Sequence, residues 1–445
     1  TGVQTCALPI SNTTGGTYVA YLFAHNAGGF GLTGTDNVIS CGSATLNGSG
    51  VATVNLGYEP QYILYKRSDA VANWFVSDIM RGMDLASAAG SFTLNPNTSS
   101  AEDTSSGVEW IQPNATGFTF NRSSYASGTI IYIAIRRGPM QVPTDATKVF
   151  APVTTSNDTN PVTTNFPVDL FMESARASSA KYFYDRLRGS GFQLDSTSTA
   201  AEVNAAITGQ FTSNTSVTPQ TLGAVSSIVW NFRRSPNFFD EVCYTGTGTS
   251  NSAKPHNLAV EPELIIVKRR DTAENWPVYC KYIDATAPWN YTLGYLNSTG
   301  AKNSNAGLFG NQLPTSTNFY TAGNNTLVNT SGATYVAYLF ATCTGVSKVG
   351  TYSGTGATQT ISCGFTGGAR FVLIKRTDST GDWYTFDTAR GMTVSTDPYL
   401  LLNSTAAETA TLGAVTTTSV GFALNSAILA AINVSAGTYI YLAIA

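Results

Sequence analysis

Three tryptophans occupy matching positions in the chain and are its best candidates for contact with a ligand. Trp74, Trp276 and Trp383 each follow a basic pair and a short polar turn. An indole ring stacks well on the CH-rich side of a pyranose, so an exposed tryptophan at these positions would predict a sugar contact. The alternative is that each indole covers the core of its own domain. The recurrence of the position with the fold favours this alternative.

Three Asp-x-x-Arg-Gly segments could place a carboxylate beside a guanidinium across a turn. The glycine would supply the positive φ angle that such a turn needs. We predict that these pairs hold turns in shape rather than contact a ligand. They are Asp78 with Arg81, Asp185 with Arg188, and Asp387 with Arg390.

Residues suited to acid–base catalysis are few. The two histidines, His25 and His256, lie far apart in the sequence, which argues against a histidine-dependent triad or a histidine-rich metal site. A glycoside hydrolase needs two carboxyl groups that flank the scissile bond. Asp240 and Glu241 are adjacent and would face opposite sides of a strand. Neither a phosphate-binding loop nor a calcium loop is evident. We therefore predict no enzymatic activity, no metal and no cofactor.

The composition excludes several classes of partner. The chain has 445 residues, 11% of them charged, and a net charge of −3. It carries no basic stripe, so we expect no nucleic-acid partner, and the basic run at 268–270 is expected to be a solvated strand end. No apolar run approaches the length of a membrane helix, so we expect no membrane insertion. The six cysteines follow no metal or disulfide spacing, and we expect most of them to be small buried hydrophobes.

One apolar segment recurs and predicts the organisation of the chain. Residues 16–24 return almost letter for letter as residues 333–341, and looser copies lie at 128–135, 227–232 and 437–444. A sequence that repeats its most apolar strand is a tandem array. Because the segment is apolar on both sides, it suits a central strand rather than an exposed edge.

Side chains alternate along a strand, so each copy of this segment has two faces. One face always carries large apolar side chains. We predict that it forms the core of its own repeat, with a stabilisation of about 5 to 9 kcal/mol per copy. The other face admits polar residues such as Asn231, and we predict that it is half covered. The large apolar face comprises Val19, Tyr21 and Phe23; Ile131, Ile133 and Ile135; Ile228, Trp230 and Phe232; Val336, Tyr338 and Phe340; and Ile440, Leu442 and Ile444.

A second marker sets the repeat length. A Leu-Asn or Leu-Asp pair before a Ser/Thr-rich stretch starts at residues 94, 194, 296 and 402, and an Ala-Glu pair ends the stretch in all but the third of these. The chain has short strands, polar turns and no helical period, which predicts an all-β protein of tandem antiparallel, jelly-roll-like β-sandwiches of about 100 residues. Repeat 2 is degenerate, and repeat 3 lacks the Asp-x-x-Arg-Gly segment. The predicted units are repeat 1 (37–136), repeat 2 (137–236), repeat 3 (237–341) and repeat 4 (342–445).

The start of the chain is treated separately. Residues 1–10 resemble the translation of a common sequencing adapter, so they are left out of the fold prediction. The chain would then be a fragment, with residues 11–36 as the tail end of a truncated repeat followed by a Gly-rich linker. Because the partner strands of that repeat would be missing, we predict an exposed or mispaired first strand.

Three stretches together resemble a known repeat. They are residues 239–248, residues 261–269, and the Asp-x-x-Arg-Gly segment with its Leu-Asx and Ala-Glu markers. This repeat occurs in tail-fibre and other virion-associated proteins of marine bacteriophages and is described as SPRY-like or concanavalin-like. The resemblance covers residues 11–445. It implies a jelly-roll-like sandwich on the virion, made in the host cytoplasm, that contacts host-surface polysaccharide or other virion proteins. It leaves homo-oligomer formation open.

Three functional hypotheses follow from these observations. The first is a non-enzymatic structural or adhesive module of a phage tail fibre or virion surface, which the low charge, the repeats and the missing catalytic sets favour. The second is a bacterial surface or secreted extracellular carbohydrate-binding array, which an upstream signal peptide would favour. The third is a glycan-cleaving enzyme, which would require a close carboxylate pair in a groove.

Overall fold

The described residues form an all-β protein of antiparallel β-sandwiches, as the sequence predicted. In the computed structural model they are residues 14–83, 85, 92–103, 110–304 and 307–445. The prediction for residues 1–10 lies outside this range. Within these ranges, five single-turn 3₁₀ helices interrupt the strands, at Ser123–Tyr125, Ala146–Lys148, Lys281–Ile283, Pro288–Asn290 and Ala430–Ile432.

Repeat 1 contains a main sheet with strand order β1-β7-β3-β4 and a smaller facing sheet with order β2-β6-β5. Along its central strands, buried residues alternate with partly buried ones, which is the pattern of a sheet covered mainly on one side. The strands are β1 (Ile39–Thr45), β2 (Val51–Asn55), β3 (Pro60–Arg67), β4 (Trp74–Asp78), β5 (Ile111–Asn114), β6 (Gly117–Asn121) and β7 (Thr129–Arg136).

Repeat 2 has a main sheet of order β8-β15-β10-β11-β12-β13, and β9 pairs with β14 in a second sheet. The strands are β8 (Phe150–Thr155), β9 (Val162–Thr163), β10 (Leu170–Ala175), β11 (Lys181–Asp185), β12 (Phe192–Asp195), β13 (Val203–Asn204), β14 (Ser216–Val217) and β15 (Ser227–Phe232). The second sheet is reduced to two short strands, in keeping with the degenerate sequence of this repeat.

Repeat 3 has a main sheet of order β16-β23-β18-β19 and two small sheets, β17-β22 and β20-β21. The strands are β16 (Phe239–Thr245), β17 (Ser252–Pro255), β18 (Leu264–Arg269), β19 (Val278–Cys280), β20 (Tyr291–Thr292), β21 (Asn303–Ser304), β22 (Asn318–Thr321) and β23 (Thr334–Phe340).

Repeat 4 has a main sheet of order β24-β31-β26-β27-β28 and a second sheet of order β25-β30-β29. The strands are β24 (Ser347–Ser353), β25 (Gln359–Ser362), β26 (Phe371–Arg376), β27 (Trp383–Asp387), β28 (Leu400–Leu401), β29 (Val415–Thr418), β30 (Gly421–Leu424) and β31 (Thr438–Ile444).

The recurring apolar segment forms the same central strand in all four repeats. It is β7, β15, β23 or β31, and it always lies between the first strand of its repeat and the strand that ends in the basic pair or its equivalent. Tyr338 of β23, for example, lies opposite Glu241 on one side and Ile266 on the other. The strand that ends in the basic pair or its equivalent (β3, β10, β18 or β26) forms a hairpin with the strand after it, and we call this hairpin the Trp hairpin.

The inner face of each main sheet is the one that packs on the repeat's own small sheet. In repeat 3 this face carries Tyr335, Ala337 and Leu339, which pack with Ile265 and Phe319. In repeat 4 the equivalent residues are Tyr439, Tyr441 and Ala443. The prediction that this face is only half covered is therefore wrong, because the small sheet closes over it.

The outer faces of repeats 2, 3 and 4 pack on one another and build one shared core. The prediction that the large apolar face forms the core of its own repeat is wrong, because the partner layer comes from the other two repeats. We call the three packed repeats the ring. Its central strands contribute Ile228, Trp230, Phe232, Val336, Tyr338, Phe340, Ile440, Leu442 and Ile444, each at most 4% exposed.

Residues 17–24, the first copy of the recurring segment, lie outside every assigned strand. Tyr21 is 83% exposed and Leu22 is 93% exposed. The segment is exposed, as predicted, but it does not form a strand. The described residues include no helix that is long and apolar enough to span a membrane.

Candidate functional site

Two of the three tryptophans proposed as sugar contacts face the shared core. Trp383 begins the second strand of its Trp hairpin, Trp276 lies two residues before the second strand of its own, and both face the shared core and are 0% exposed. Trp74 occupies the same position in repeat 1 and is half-buried. A fully buried indole presents no face to a sugar, so Trp74 is the one of the three that a ligand can reach.

Each buried indole donates a hydrogen bond to the repeat before it. Nε1 of Trp276 donates to the carbonyl of Ser198 in repeat 2 over 3.2 Å. Nε1 of Trp383 donates to the carbonyl of Tyr295 in repeat 3 over 3.1 Å. The acceptors lie at or just before the segment that starts with the Leu-Asx marker, and we call this region the acceptor loop (residues 94–102, 194–202, 295–302 and 402–408). The two tryptophans therefore tie neighbouring repeats together.

The lysine of the basic pair makes the same junction in repeats 3 and 4. Nζ of Lys268 donates to the carbonyl of Thr199 over 2.9 Å, and Nζ of Lys375 donates to that of Thr299 over 3.0 Å. Burial lowers the pKa of both amines to about 8. The expectation that residues 268–270 form a solvated strand end is wrong, because Lys268 is buried at the junction.

Backbone hydrogen bonds repeat in one register at all three junctions. In the first junction the amide of Glu202 donates to the carbonyl of Arg270, and the amide of Glu274 donates to that of Thr199. The equivalents are Lys302 to Thr377 with Gly381 to Thr299, and Glu408 to Arg176 with Ser179 to Thr405. Repeat 3 thus docks on repeat 2, repeat 4 on repeat 3, and repeat 2 on repeat 4. One head-to-tail contact used three times closes the ring.

All three Asp-x-x-Arg pairs form, and each includes a third residue. Arg188 lies 2.5 Å from Asp185 and 2.9 Å from Glu202, so the pair is a buried Asp–Arg–Glu triad. Arg390 joins Asp387 to Glu408, and Arg81 joins Asp78 to Glu102, in the same way. Sequence reasoning missed the glutamates. The signal was present, because repeat 3 lacks the Asp-x-x-Arg-Gly segment and the Ala-Glu pair together.

Two of the triad glutamates also bind an arginine of the next repeat. Glu202 lies 2.7 Å from Arg270, and Glu408 lies 2.6 Å from Arg176. Burial opposes the charge of Glu202, but Arg188 and Arg270 outweigh it and lower the pKa of this carboxyl. Buried ions of this kind are stable only when they are paired, so the triads couple each turn to the closure of the ring.

Two triad aspartates accept a hydrogen bond across the shared core. Oη of Tyr338 donates to Asp185 over 2.8 Å, and Nε1 of Trp230 donates to Asp387 over 2.9 Å. Tyr338 and Trp230 hold the same position in their central strands. Repeat 4 has the apolar Leu442 there, and repeat 3 has no triad aspartate. Donor and acceptor are therefore missing together at the third junction.

A cluster of buried charges joins repeat 1 to the ring. The guanidinium of Arg234 donates to Glu59 of repeat 1 over 2.9 Å and to Asp240 over 2.7 Å. Arg137 lies 2.5 Å from Asp169. Since all of these groups are nearly or fully buried, each charge depends on its partner.

Glu241 lies beside this cluster and is fully buried. Burial, and then the charge of Asp185, raise the pKa of Glu241 well above its ordinary value. Neither carboxyl oxygen has a hydrogen-bond partner in the described part of the chain. Asp240, by contrast, is bonded to Arg234 and to the amide of Asn257. The two adjacent carboxyl groups therefore have different environments and do not form a catalytic pair.

A cleft of about 590 Å³ lies beside this cluster, between repeats 1 and 3. Its walls mix polar and apolar groups; the polar ones include Asp36, Arg136 and His256, with Asp36 and Arg136 paired over 3.1 Å. His256 is held by the carbonyl of Thr315 and the amide of Leu258, and burial lowers its pKa. No aromatic side chain other than this imidazole lines the cleft, so it offers hydrogen bonds rather than a stacking surface.

A second pair of carboxyl groups, Glu173 and Asp158, lies inside the sandwich of repeat 2. Both residues are 0% exposed. Burial, and then Asp158, raise the pKa of Glu173 well above its ordinary value. A glycan-cleaving enzyme needs its pair in an open groove, and this pair lies in a core. Among the described residues, no three His, Cys, Asp or Glu side chains gather as a metal site requires.

The cysteines of the described chain are all free thiols. Cys280 and Cys343 lie in the shared core, and Cys363 lies in the core of repeat 4. Burial raises the pKa of these thiols. They behave as small hydrophobes, as expected.

Comparison with known proteins gives one match to a family. The model of a domain of unknown function, DUF7483, matches residues 3–139 and 173–445. The intervening residues belong to the degenerate repeat 2. No curated protein matches the chain.

Proposed function

The chain belongs to the DUF7483 family, and from its structure we propose that it is a non-enzymatic structural and adhesive module of a phage tail fibre or virion surface. The observation that carries this proposal is the closed ring. One head-to-tail contact, with the same backbone register, joins repeats 2, 3 and 4. The residues that recur along the sequence serve this contact.

A ring of this kind suits a part that must hold its shape. Its shared core, buried triads and repeated hydrogen bonds all resist separation of the repeats. Three largely buried carboxyl groups with shifted pKa values, Glu202, Glu241 and Glu173, lie at the junctions or inside a sandwich, where they serve packing rather than catalysis. The proposed partners are other virion proteins and host-surface polysaccharide.

The rival hypothesis of a carbohydrate-binding array expects one sugar site in each repeat. Trp276 and Trp383 are buried, so two of its three aromatic contacts are closed to solvent. Any glycan contact of this chain would rest on Trp74 or on the cleft beside Asp36 and His256.

The location is tested by immunogold labelling of particles that carry the gene, with antibodies against the purified chain. Gold at the tail or virion surface is the expected result. Particles that lack the label overturn the proposal.

Adhesion is tested on a glycan array with the wild-type chain and Trp74→Ala. Val394→Ala, at an exposed position in repeat 4, is the matched control. We expect binding that Trp74→Ala reduces and the control leaves unchanged. Release of reducing sugar from host polysaccharide would contradict the non-enzymatic role.

A further inference from the structure

Repeat 1 presents to solvent the surface that the other three repeats bury. Its outer face carries Leu64, Trp74, Leu94, Ile131 and Ile133. We propose that this face binds the same face of two further copies of the chain and closes a homotrimer, with a core like that of the ring.

Each uncovered position has a buried counterpart. Leu94 is 38% exposed, whereas Leu194, Leu296 and Leu402 are at most 1% exposed. Ile131 is 36% exposed, whereas Ile228, Val336 and Ile440 are at most 1% exposed. A contiguous apolar face of this kind on a protein surface marks an interaction site.

The hydrogen-bonding groups of the junction are also open in repeat 1. Nε1 of Trp74 and the carbonyls of Thr98 and Ser99 have no hydrogen-bond partner in the described part of the chain. In the ring the equivalent groups are Trp276, Ser198 and Thr199, and they bond between repeats. Repeat 1 therefore holds both halves of the head-to-tail contact, the donor hairpin and the acceptor loop.

Possession of both halves favours another repeat of the same fold as the partner, and because the described residues hold no further complete repeat, a second copy of the chain supplies it. A head-to-tail contact closes on itself when its rotation is one third of a turn. The ring shows that this contact between sandwiches of this fold has that rotation, because three of them close it. Three identical copies of repeat 1 can repeat it with true symmetry.

The rest of the described chain leaves this face accessible. Repeat 1 is joined to the ring at the ends of its strands, through Glu59 before β3 and Arg137 after β7. The outer face extends away from that junction along β3 and β7.

One position is less complementary than its counterparts in the ring. Ile133 occupies in β7 the position of Tyr338 in β23, whose hydroxyl donates to Asp185. Isoleucine has no hydroxyl, so Asp78 would gain no such hydrogen bond from a neighbouring copy. Leu442 shows that one junction of the ring also lacks this bond. We therefore expect a concentration-dependent trimer that Ile133→Tyr strengthens.

The test is sedimentation equilibrium of the purified chain up to about 100 µM, which populates complexes of micromolar affinity. The wild-type chain is expected at three times the mass of one chain. Ile133→Asp and Leu94→Asp are expected to be monomers with an unchanged circular dichroism spectrum. Val394→Asp, at an exposed apolar position outside the face, is expected to stay trimeric.

Ile133→Tyr keeps the test decisive if the charged variants fold poorly, because it is expected to shift the trimer to lower concentration by about tenfold. A wild-type chain that is monomeric or dimeric at the highest concentration overturns the proposal. So does a trimer that survives both charged substitutions. The outcome is independent of whether the protein resides on a virion. Because Trp74 lies in this face, trimer formation and glycan binding compete for its indole, so the glycan array is read at concentrations at which the chain is monomeric.

Discussion

Nε1 of Trp230 donates a hydrogen bond over 2.9 Å to Oδ2 of Asp387, across the core that repeats 2, 3 and 4 share. Asp387 is already bound to Arg390 of its own repeat. The bond therefore links the turn of one sandwich to the central strand of another. Tyr338 and Asp185 form the same link at a second junction. These links make the fold of each repeat depend on the presence of its neighbours.

Tyr338→Phe should destabilise the chain by about 2 kcal/mol, because a hydrogen bond to a buried charged group is lost. Urea unfolding followed by fluorescence measures the change. Tyr21→Phe, at an 83% exposed position, is the control and should leave the free energy of unfolding unchanged. Equal effects of the two variants would show that the bond to Asp185 contributes nothing.

Trp383→Ala should cost about 3 to 5 kcal/mol of stability, because it empties a buried site at the junction of repeats 3 and 4. Trp74→Ala should cost clearly less stability, since its indole is half-buried and bonds to no other repeat within the described chain. Thermal unfolding of both variants makes the comparison. A larger loss for Trp74→Ala would contradict the burial argument.

Glu202→Gln should destabilise the chain near neutral pH by about 3 kcal/mol, because Arg188 and Arg270 would lose their charged partner while buried. Glu102→Gln, the same change in the partly exposed triad of repeat 1, is the matched control and should cost less.

The pH dependence of Glu202 follows from the sign of its shift. Arg188 and Arg270 outweigh burial and place the pKa of Glu202 in the folded protein below its ordinary value of 4.5. Its contribution is present above that value and is lost as the pH falls through the lower, folded pKa. Glu202→Gln should therefore flatten the acid limb of the stability curve. If Glu202→Gln leaves the acid limb unchanged, Glu202 does not cause the loss of stability at low pH.

Glu173→Gln should raise the stability of the chain near neutral pH. Burial, and then Asp158, raise the pKa of Glu173 in the folded state above its ordinary value of 4.5, so the wild-type chain loses stability as the pH rises from that value toward the folded pKa. The amide removes this loss. Unfolding across the pH range measures it, with the partly exposed Glu274→Gln as the control. A variant less stable than wild type at neutral pH would contradict the assignment.

Much of the architecture was readable from local pattern. Alternation of apolar and polar residues identified the strands, and the recurrence of residues 333–341 identified the central strand and the repeat length. The Asp-x-x-Arg-Gly spacing was enough to predict pairs such as Asp185 with Arg188, because residues three apart meet across a tight turn. All of these features depend on neighbours close in sequence or on simple repetition.

Only the tertiary structure decides which layer packs on each face of a central strand. The central strand is apolar on both faces, so its sequence could not say that Tyr335 would meet its own small sheet while Tyr338 would meet repeat 2. For the same reason, Trp276 and Trp383 occur in the same sequence context as Trp74 but are buried by the preceding repeat. Alternation records which side of a strand a residue is on, but the layer opposite comes from residues a hundred or more positions away.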